Sequence, residues 1–120
     1  MLSRSPHLGM AFNAYHKRWR LAVDHIHVNG LRNKFSEEDK SVIESARACQ
    51  TAMFEAPAAG YQIMPVFSSG QSAAQVADTY QAIGNSDLIY CCGGIIMAHP
   101  GGIAGGVASL RQAWQAAMGN

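Results

Sequence analysis

Nowhere in these 120 residues does an apolar run last long enough to cross a membrane. The longest nearly apolar stretch, Leu88 to Ala98, is broken by Gly93-Gly94 and falls far short of the ~20 residues a span requires. Residues 1–10 hold Arg4, Pro6 and His7 without an apolar core, so a secretory signal is not expected. Charge is scarce and balanced. Nine Lys+Arg against eight Asp+Glu leave a formal +1, which gives no general attraction to nucleic acid or an anionic membrane. The cluster His16-Lys17-Arg18-Arg20 reads as the solvated face of a helix. Cysteine is also sparse: Cys49, Cys91 and Cys92 form no C-x-x-C and cannot all pair with one another. The expectation is a reduced, cytoplasmic protein with neither a membrane nor a nucleic-acid partner. Nucleophile motifs are missing too, since there is no G-x-S-x-G and the cysteines lack an activating context.

What is present has the proportions of one domain or part of one. Hydrophobic residues make up 48% of the chain, enough for an ordinary core. Three short apolar segments follow one another: Val23 to His27, Gln62 to Phe67, and Asp87 to Cys92. Each ends in polar or glycine residues and precedes a helix-like stretch, the pattern of parallel α/β architecture. An amphipathic helix is expected over Gly9 to Ala22. A second is expected from a Ser36 cap, with Glu37, Glu38 and Asp39 in its first turn, to about Phe54. A third should run from Ser72 to Ile83 and stop at Gly84. After a glycine-rich loop containing Gly93, Gly94, His99 and Pro100, a last helix is expected over Ile103 to Met118. Strand starts near 23, 62 and 87 bracket the ~30 residues of a βα unit, but three strands cannot close a barrel. The chain reads as if it begins in the middle of something.

Strand ends in such folds carry the chemistry. His25 and His27 lie two apart and share one strand face. An H-x-H pair can bind zinc, yet no further His/Asp/Glu set has metal-like spacing, so no metal site is assigned. Core or substrate-binding histidines fit better, with His27 the better placed to face a ligand. Lys34 lies seven residues on, in a loop whose evident flexible point is Gly30, where a cation could close over a site. By itself a loop lysine is usually surface decoration. Ser68-Ser69-Gly70 and Gly93-Gly94 each offer backbone amides ahead of a helix, and on neighbouring strands they would make one phosphate site.

Taken in order, Asp24-His25-Ile26-His27 with Lys34, Met64-Pro65-Val66 leading to Ser68-Ser69-Gly70, and Gly93-Gly94 with His99-Pro100 form a combined pattern. It resembles the large chain of ribulose-1,5-bisphosphate carboxylase/oxygenase (RuBisCO). The wording Val28-Asn29-Gly30-Leu31 and Ile96-Met97-Ala98-His99-Pro100 is similar to the RuBisCO-like branch, which includes enolase- and isomerase-type enzymes and decarboxylases of oxidised branched-sugar acids. The resemblance implies that residues 1–120 form the C-terminal part of a (β/α)8 TIM barrel: a helix and the last three strand–helix units. It implies enolisation of a phosphorylated keto-sugar or keto-acid, with carboxylation, decarboxylation or isomerisation. Lys34 would close the site and steady developing charge, while His27 and Ser68 would touch the substrate. Amides of Gly70, Gly93 and Gly94 would hold a phosphate. Magnesium is implied as cofactor, with its ligands upstream of the matched region, so this chain alone should be inactive. Implied partners are a phosphorylated sugar or sugar-acid, the N-terminal barrel half and a second copy in a homodimer. A truncated non-catalytic copy and a small phosphate-binding α/β module are the alternatives. Two departures bear on the site. The family commonly has glycine where Ser69 stands, and often three glycines where this chain has Gly93-Gly94-Ile95, from which a weakened phosphate grip is expected.

Overall fold

The computed structural model describes residues 24–51 and 62–119. The expected first helix, Gly9 to Ala22, lies outside them, as does the stretch 52–61. In order come β1 (His25–Asn29), α1 (Asp39–Gln50), β2 (Met64–Phe67), a 3-10 turn at Ala73–Gln75 running into α2 (Val76–Ile83), β3 (Ile89–Tyr90), α3 (Gly93–Met97) and α4 (Gly102–Ala117). The strands form one parallel sheet in the order β1-β2-β3, as the strand–helix alternation requires. Ile26 pairs with Pro65 and His27 with Val66, then Val66 with Ile89 and Phe67 with Tyr90. All strand C-termini therefore share one rim.

Alternation sorts the side chains. Val28, Ile63 and Phe67 point to the helix layer, where Val42, Ala46 and Cys49 of α1 and Ile83 of α2 meet them in one buried cluster. The α1 residues are spaced i, i+4, i+7, one stripe of a helix. Each Val or Phe fully buried here contributes about 1.5–3 kcal/mol relative to exposure. His25 and His27 point the other way and are exposed.

Helix ends depart from expectation in one instructive place. Ser36 is no cap: its φ is +62°, α1 begins at Asp39, and Glu38 is the cap residue. The reason lies in Asn33, whose Oδ1 accepts the Phe35 and Glu37 amides that a helix would have left free. Glu37 is buried rather than solvated in a first helical turn. At the other end α1 stops at Gln50, short of the expected Phe54. Thr51 is already extended, and its amide and hydroxyl both donate to the Arg47 carbonyl. Ser72 does cap the next helix. Its hydroxyl accepts the Ala74 amide while Gln75 Oε1 accepts the Ser72 amide, a reciprocal capping box. Gly84, at φ +84°, ends α2 as expected.

The third strand is shorter than expected, two residues, although the Cys91 amide still reaches the Phe67 carbonyl at 2.8 Å. The loop expected from Gly93 to Gly102 contains α3. Helix formation there is favoured by packing on α4: a Cβ at Gly106 would lie 2.9 Å from Ile96 Cα, so the two backbones approach as only glycine permits. Among the described residues no helix is long and apolar enough to cross a membrane.

Candidate functional site

The rim gathers the exits of β1 and β2 with the loop after β1. His27 Nδ1 and Ser68 Oγ lie 2.9 Å apart, a bond that fixes the imidazole over the end of β2. Ser68 Oγ is 3.4 Å from Ser69 Oγ, and Ser69 Oγ donates to Asn29 Oδ1 at 2.6 Å. Asn29 Nδ2 donates in turn to Glu37 Oε1 at 2.7 Å, and Ser41 Oγ to Glu37 Oε2 at 2.6 Å. A carboxylate only accepts, so the Asn29 amide nitrogen must face Glu37 and its oxygen must face Ser69. Since Ser69 gives its proton to Asn29, Ser68 is the donor available to the 3.4 Å contact. Of the residues proposed from sequence, His27, Ser68 and Ser69 thus join the unforeseen Asn29, Glu37 and Ser41 in one hydrogen-bonded chain.

Lys34 is brought to the same place by its backbone. Its amide donates to the Ser69 carbonyl at 3.0 Å, and its Cβ lies 3.7 Å from where a Cβ on Gly70 would be. The ammonium sits 5.3 Å from the centre of the Phe35 ring. Its loop is not the free segment that Gly30 suggested. Gly30 is buried, and a Cβ there would overlap the Gln71 side-chain amide, so the glycine serves close approach rather than flexibility. Gln71 Nε2 donates to the Leu31 carbonyl, and Asn33 Nδ2 to the carbonyls of Gly30 and Glu37. An ion pair between Arg32 and Asp78 at 3.1 Å ties the loop to α2.

All non-glycine residues with left-handed backbone among those described belong to this rim: Asn29, Arg32, Ser36 and Ser69. Such conformations cost of order 1–3 kcal/mol each and persist where surrounding structure dictates them. Asn29 and Glu37, with Asn33 and Gln71 behind them, were missed by motif reading. Asn29-Gly30 looked like an ordinary loop signal, and Glu37 like a first-turn helix carboxylate. The available sequence signal was an Asn ahead of a glycine, since Asn tolerates positive φ.

Gly93 and Gly94 open α3 just beyond the β3 exit, with nothing within 4 Å of where a Cβ would stand on either. Their amides and that of Ile95 precede the first helical bond, from Ile96 N to the Cys92 carbonyl at 2.9 Å. Ile95 is helical and exposed, so its amide runs with the other two. The helical region is open to a β-branched residue, so Ile95 holds this conformation without strain. The Cys91–Phe67 bond seats the β3 exit beside that of β2. Below it, burial foremost and Cys91 second push the Cys92 thiol up to about 11. Burial first, then Cys92, raises the Tyr90 phenol well above its ordinary value. Tyr90 donates to the Ser72 carbonyl at 2.8 Å and braces the start of α2.

Metal ligation finds no support in this arrangement. No group of three or more His, Cys, Asp or Glu side chains among the described residues could hold a metal ion, so none of them is assigned to the magnesium, whose ligands the resemblance puts upstream of the matched region. His99 is engaged elsewhere, its Nδ1 accepting the Gly101 amide at 2.9 Å.

Comparison with known proteins supplies a family. The model for the catalytic domain of the ribulose bisphosphate carboxylase large chain matches residues 1–120. The 3-oxo-isoapionate-4-phosphate transcarboxylase/hydrolase of Xanthobacter autotrophicus is 53% identical over 118 residues, covering 98% of this chain and 28% of that protein. The 3-oxo-isoapionate-4-phosphate decarboxylase of Rhizobium etli is 44% identical over 120 residues, with the same coverage of each. A rubisco-like protein from Burkholderia fungorum, solved by crystallography, aligns with a TM-score of 0.81 at 48% identity, over 91% of this chain and 27% of that one. The chain thus spans little more than a quarter of the length of these relatives.

Proposed function

Because this chain belongs to the ribulose bisphosphate carboxylase large-chain family, we propose that it supplies one side of the active site of a RuBisCO-like enzyme acting on a phosphorylated keto-sugar acid. The reaction class is cleavage of the bond between a carboxyl group and the carbon beside a ketone. Relatives named for a transcarboxylase/hydrolase and a decarboxylase of 3-oxo-isoapionate 4-phosphate, at 53% and 44% identity, support that class over isomerisation. The observation that carries the reading is the His27–Ser68 pair, 2.9 Å apart, at the rim to which the Lys34 backbone is bound.

In decarboxylation the electron pair of the breaking C–C bond moves into a new C=C bond, and the ketone oxygen becomes an enolate oxygen. Carbon dioxide leaves, and a proton must later reach carbon. Negative charge therefore migrates from carboxylate to enolate, and a nearby cation is worth most where that charge develops. Lys34 is given this role, its ammonium leaving the Phe35 ring for the substrate. The Ser68 hydroxyl and His27 hold the polar end of the substrate, with Ser69 shaping the turn. The phosphate is assigned to amides at Gly70 and at Gly93 and Gly94, the latter pair opening α3. Magnesium, association with the rest of a barrel and a homodimer belong to the same proposal, and no residue described here carries the metal.

Lys34→Met, in the complete enzyme that carries this segment, tests the reading with 3-oxo-isoapionate 4-phosphate as substrate and carbon dioxide release as readout. The expected result is a fall in kcat of about 100-fold or more, with KM changed only a few-fold, since charge that develops during reaction is felt in the transition state. Intact kcat with a raised KM would reduce Lys34 to a ground-state contact and remove it from the chemistry.

A further inference from the structure

We infer that Asn29 is the positioning residue of this site, its carboxamide joining the Ser68-Ser69-Gly70 turn to the loop that carries Lys34. The inference rests on the functional reading above only for what the site does, since the linkage itself is a matter of geometry. Asn29 stands where the register of β1 on β2 slips, between the His27 and Asn29 pairings, and at a φ of +62°. A slip of this kind re-aims the side chain at the end of a strand. Three bonds then converge on one residue. The Asn29 carbonyl accepts the Ser68 amide at 3.0 Å, Oδ1 accepts the Ser69 hydroxyl at 2.6 Å, and Nδ2 donates to Glu37 at 2.7 Å.

Those bonds bracket Lys34 from both sides. Glu37 lies three residues beyond it and is buried, with Asn29 and Ser41 as its side-chain donors. Ser69, held by Asn29, offers its carbonyl to the Lys34 amide. Beside the bonds of Asn33 and Gln71 within the loop, one residue, whose own strand also carries His27, thus links both flanks of the lysine to the Ser68-Ser69-Gly70 turn. Few side chains could do this. The position needs one donor and one acceptor on a short stem, and a residue that accepts left-handed backbone. Asp lacks the donor, and Gln lacks the tolerance for left-handed backbone. Asn meets every requirement.

The test uses the complete enzyme with four variants: Asn29→Gly, Asn29→Asp, Glu37→Gln, and the last two combined. Gly keeps the backbone and deletes the bridge. Asp turns a donor into a second carboxylate facing Glu37. In the combined variant, the carboxamide introduced by Glu37→Gln can donate to the new aspartate, which restores the bridge with donor and acceptor exchanged. Hydrogen exchange of the 30–38 segment, read without substrate, should speed up at least about 10-fold in Asn29→Gly and Asn29→Asp and return towards wild type in the double variant. With substrate, kcat should fall about 10-fold or more in the same two variants with KM within about threefold, and recover in the double variant. Unchanged exchange, or exchange that the double variant does not rescue, overturns the inference. Faster exchange with an unaltered kcat also overturns it, leaving Asn29 a structural residue. Absence of turnover in the wild type would instead count against the functional reading, and the exchange measurements would still judge the linkage.

Discussion

Single residues at the rim hold conformations that their side chains make tolerable. Ser69 has a φ of +70°, a backbone region that glycine enters without strain. Left-handed backbone costs a non-glycine residue roughly 1–2 kcal/mol, and the hydroxyl bond to Asn29 returns about 0.5–1.5 kcal/mol. Ser69→Gly should therefore be close to neutral, whereas Ser69→Ala keeps the strain, loses the bond and should cost about 1 kcal/mol more. Urea denaturation of both variants in the complete protein checks this, and equal stabilities would dispose of the strain argument. Cys92 gives a pH dependence. Burial raises its thiol from 9.0 to about 11, so the folded state keeps a proton that the unfolded state has released. Its contribution is complete below pH 9 and disappears as pH rises through about 11. Melting temperature followed across that window should fall less steeply in Cys92→Ala than in wild type, with Tyr90 adding a loss in the same direction at higher pH. Parallel curves would mean that Cys92 does not govern the alkaline limb.

At the level of elements, two serines that look equivalent in sequence behave differently. Ser72 precedes Gln75 at capping-box spacing and makes both reciprocal bonds. Ser36 precedes three acidic residues, an equally plausible helix start, and caps nothing because Asn33 and Asn29 draw the next residues into the loop network. Ser72→Ala is expected to destabilise the complete protein by about 0.5–2 kcal/mol. Ser36→Gly, at φ +62°, should be stabilising or neutral by up to about 1 kcal/mol. Thermal melts of the two variants separate the cases; a loss at Ser36 as large as that at Ser72 would restore the cap. Element type was legible because β1 and β2 are bounded by polar and glycine residues, and α1 carries its apolar stripe at Val42, Ala46 and Cys49. Element length was not. A strand ends where its neighbour stops pairing, and β3 has only β2 beside it among the described residues.

For the molecule as a whole, a parallel sheet of three strands leaves β1 and β3 as edges among the described residues. Large apolar side chains stand exposed at Ile95 and Met97 on α3 and at Ile103 in the first turn of α4. Open edges and uncovered apolar surface favour association. Produced as these 120 residues alone, the chain should show a broad, concentration-dependent thermal transition and should associate. A sharp two-state melt of a monomer, by calorimetry and sedimentation, would mean that the described sheet is self-sufficient. That arrangement is the one shared with the Burkholderia fungorum structure, in which the aligned part is 27% of the chain.

The sequence by itself determined the parallel α/β order, the two-residue phase that turns His25 and His27 to one face, and the glycine stop after α2. Each of these depends on periodicity or on the conformational range of one residue, which is local information. The ordered motifs also carried the family. Tertiary structure decided the rest. Whether Gly30 bends or packs, and which polar groups join Lys34 to Ser68, depend on partners some 40 positions away, such as Ser69 against Asn29 and Gln71 against Leu31. A buried donor or acceptor must find a partner wherever the fold places one, and no spacing rule along the chain states where that will be.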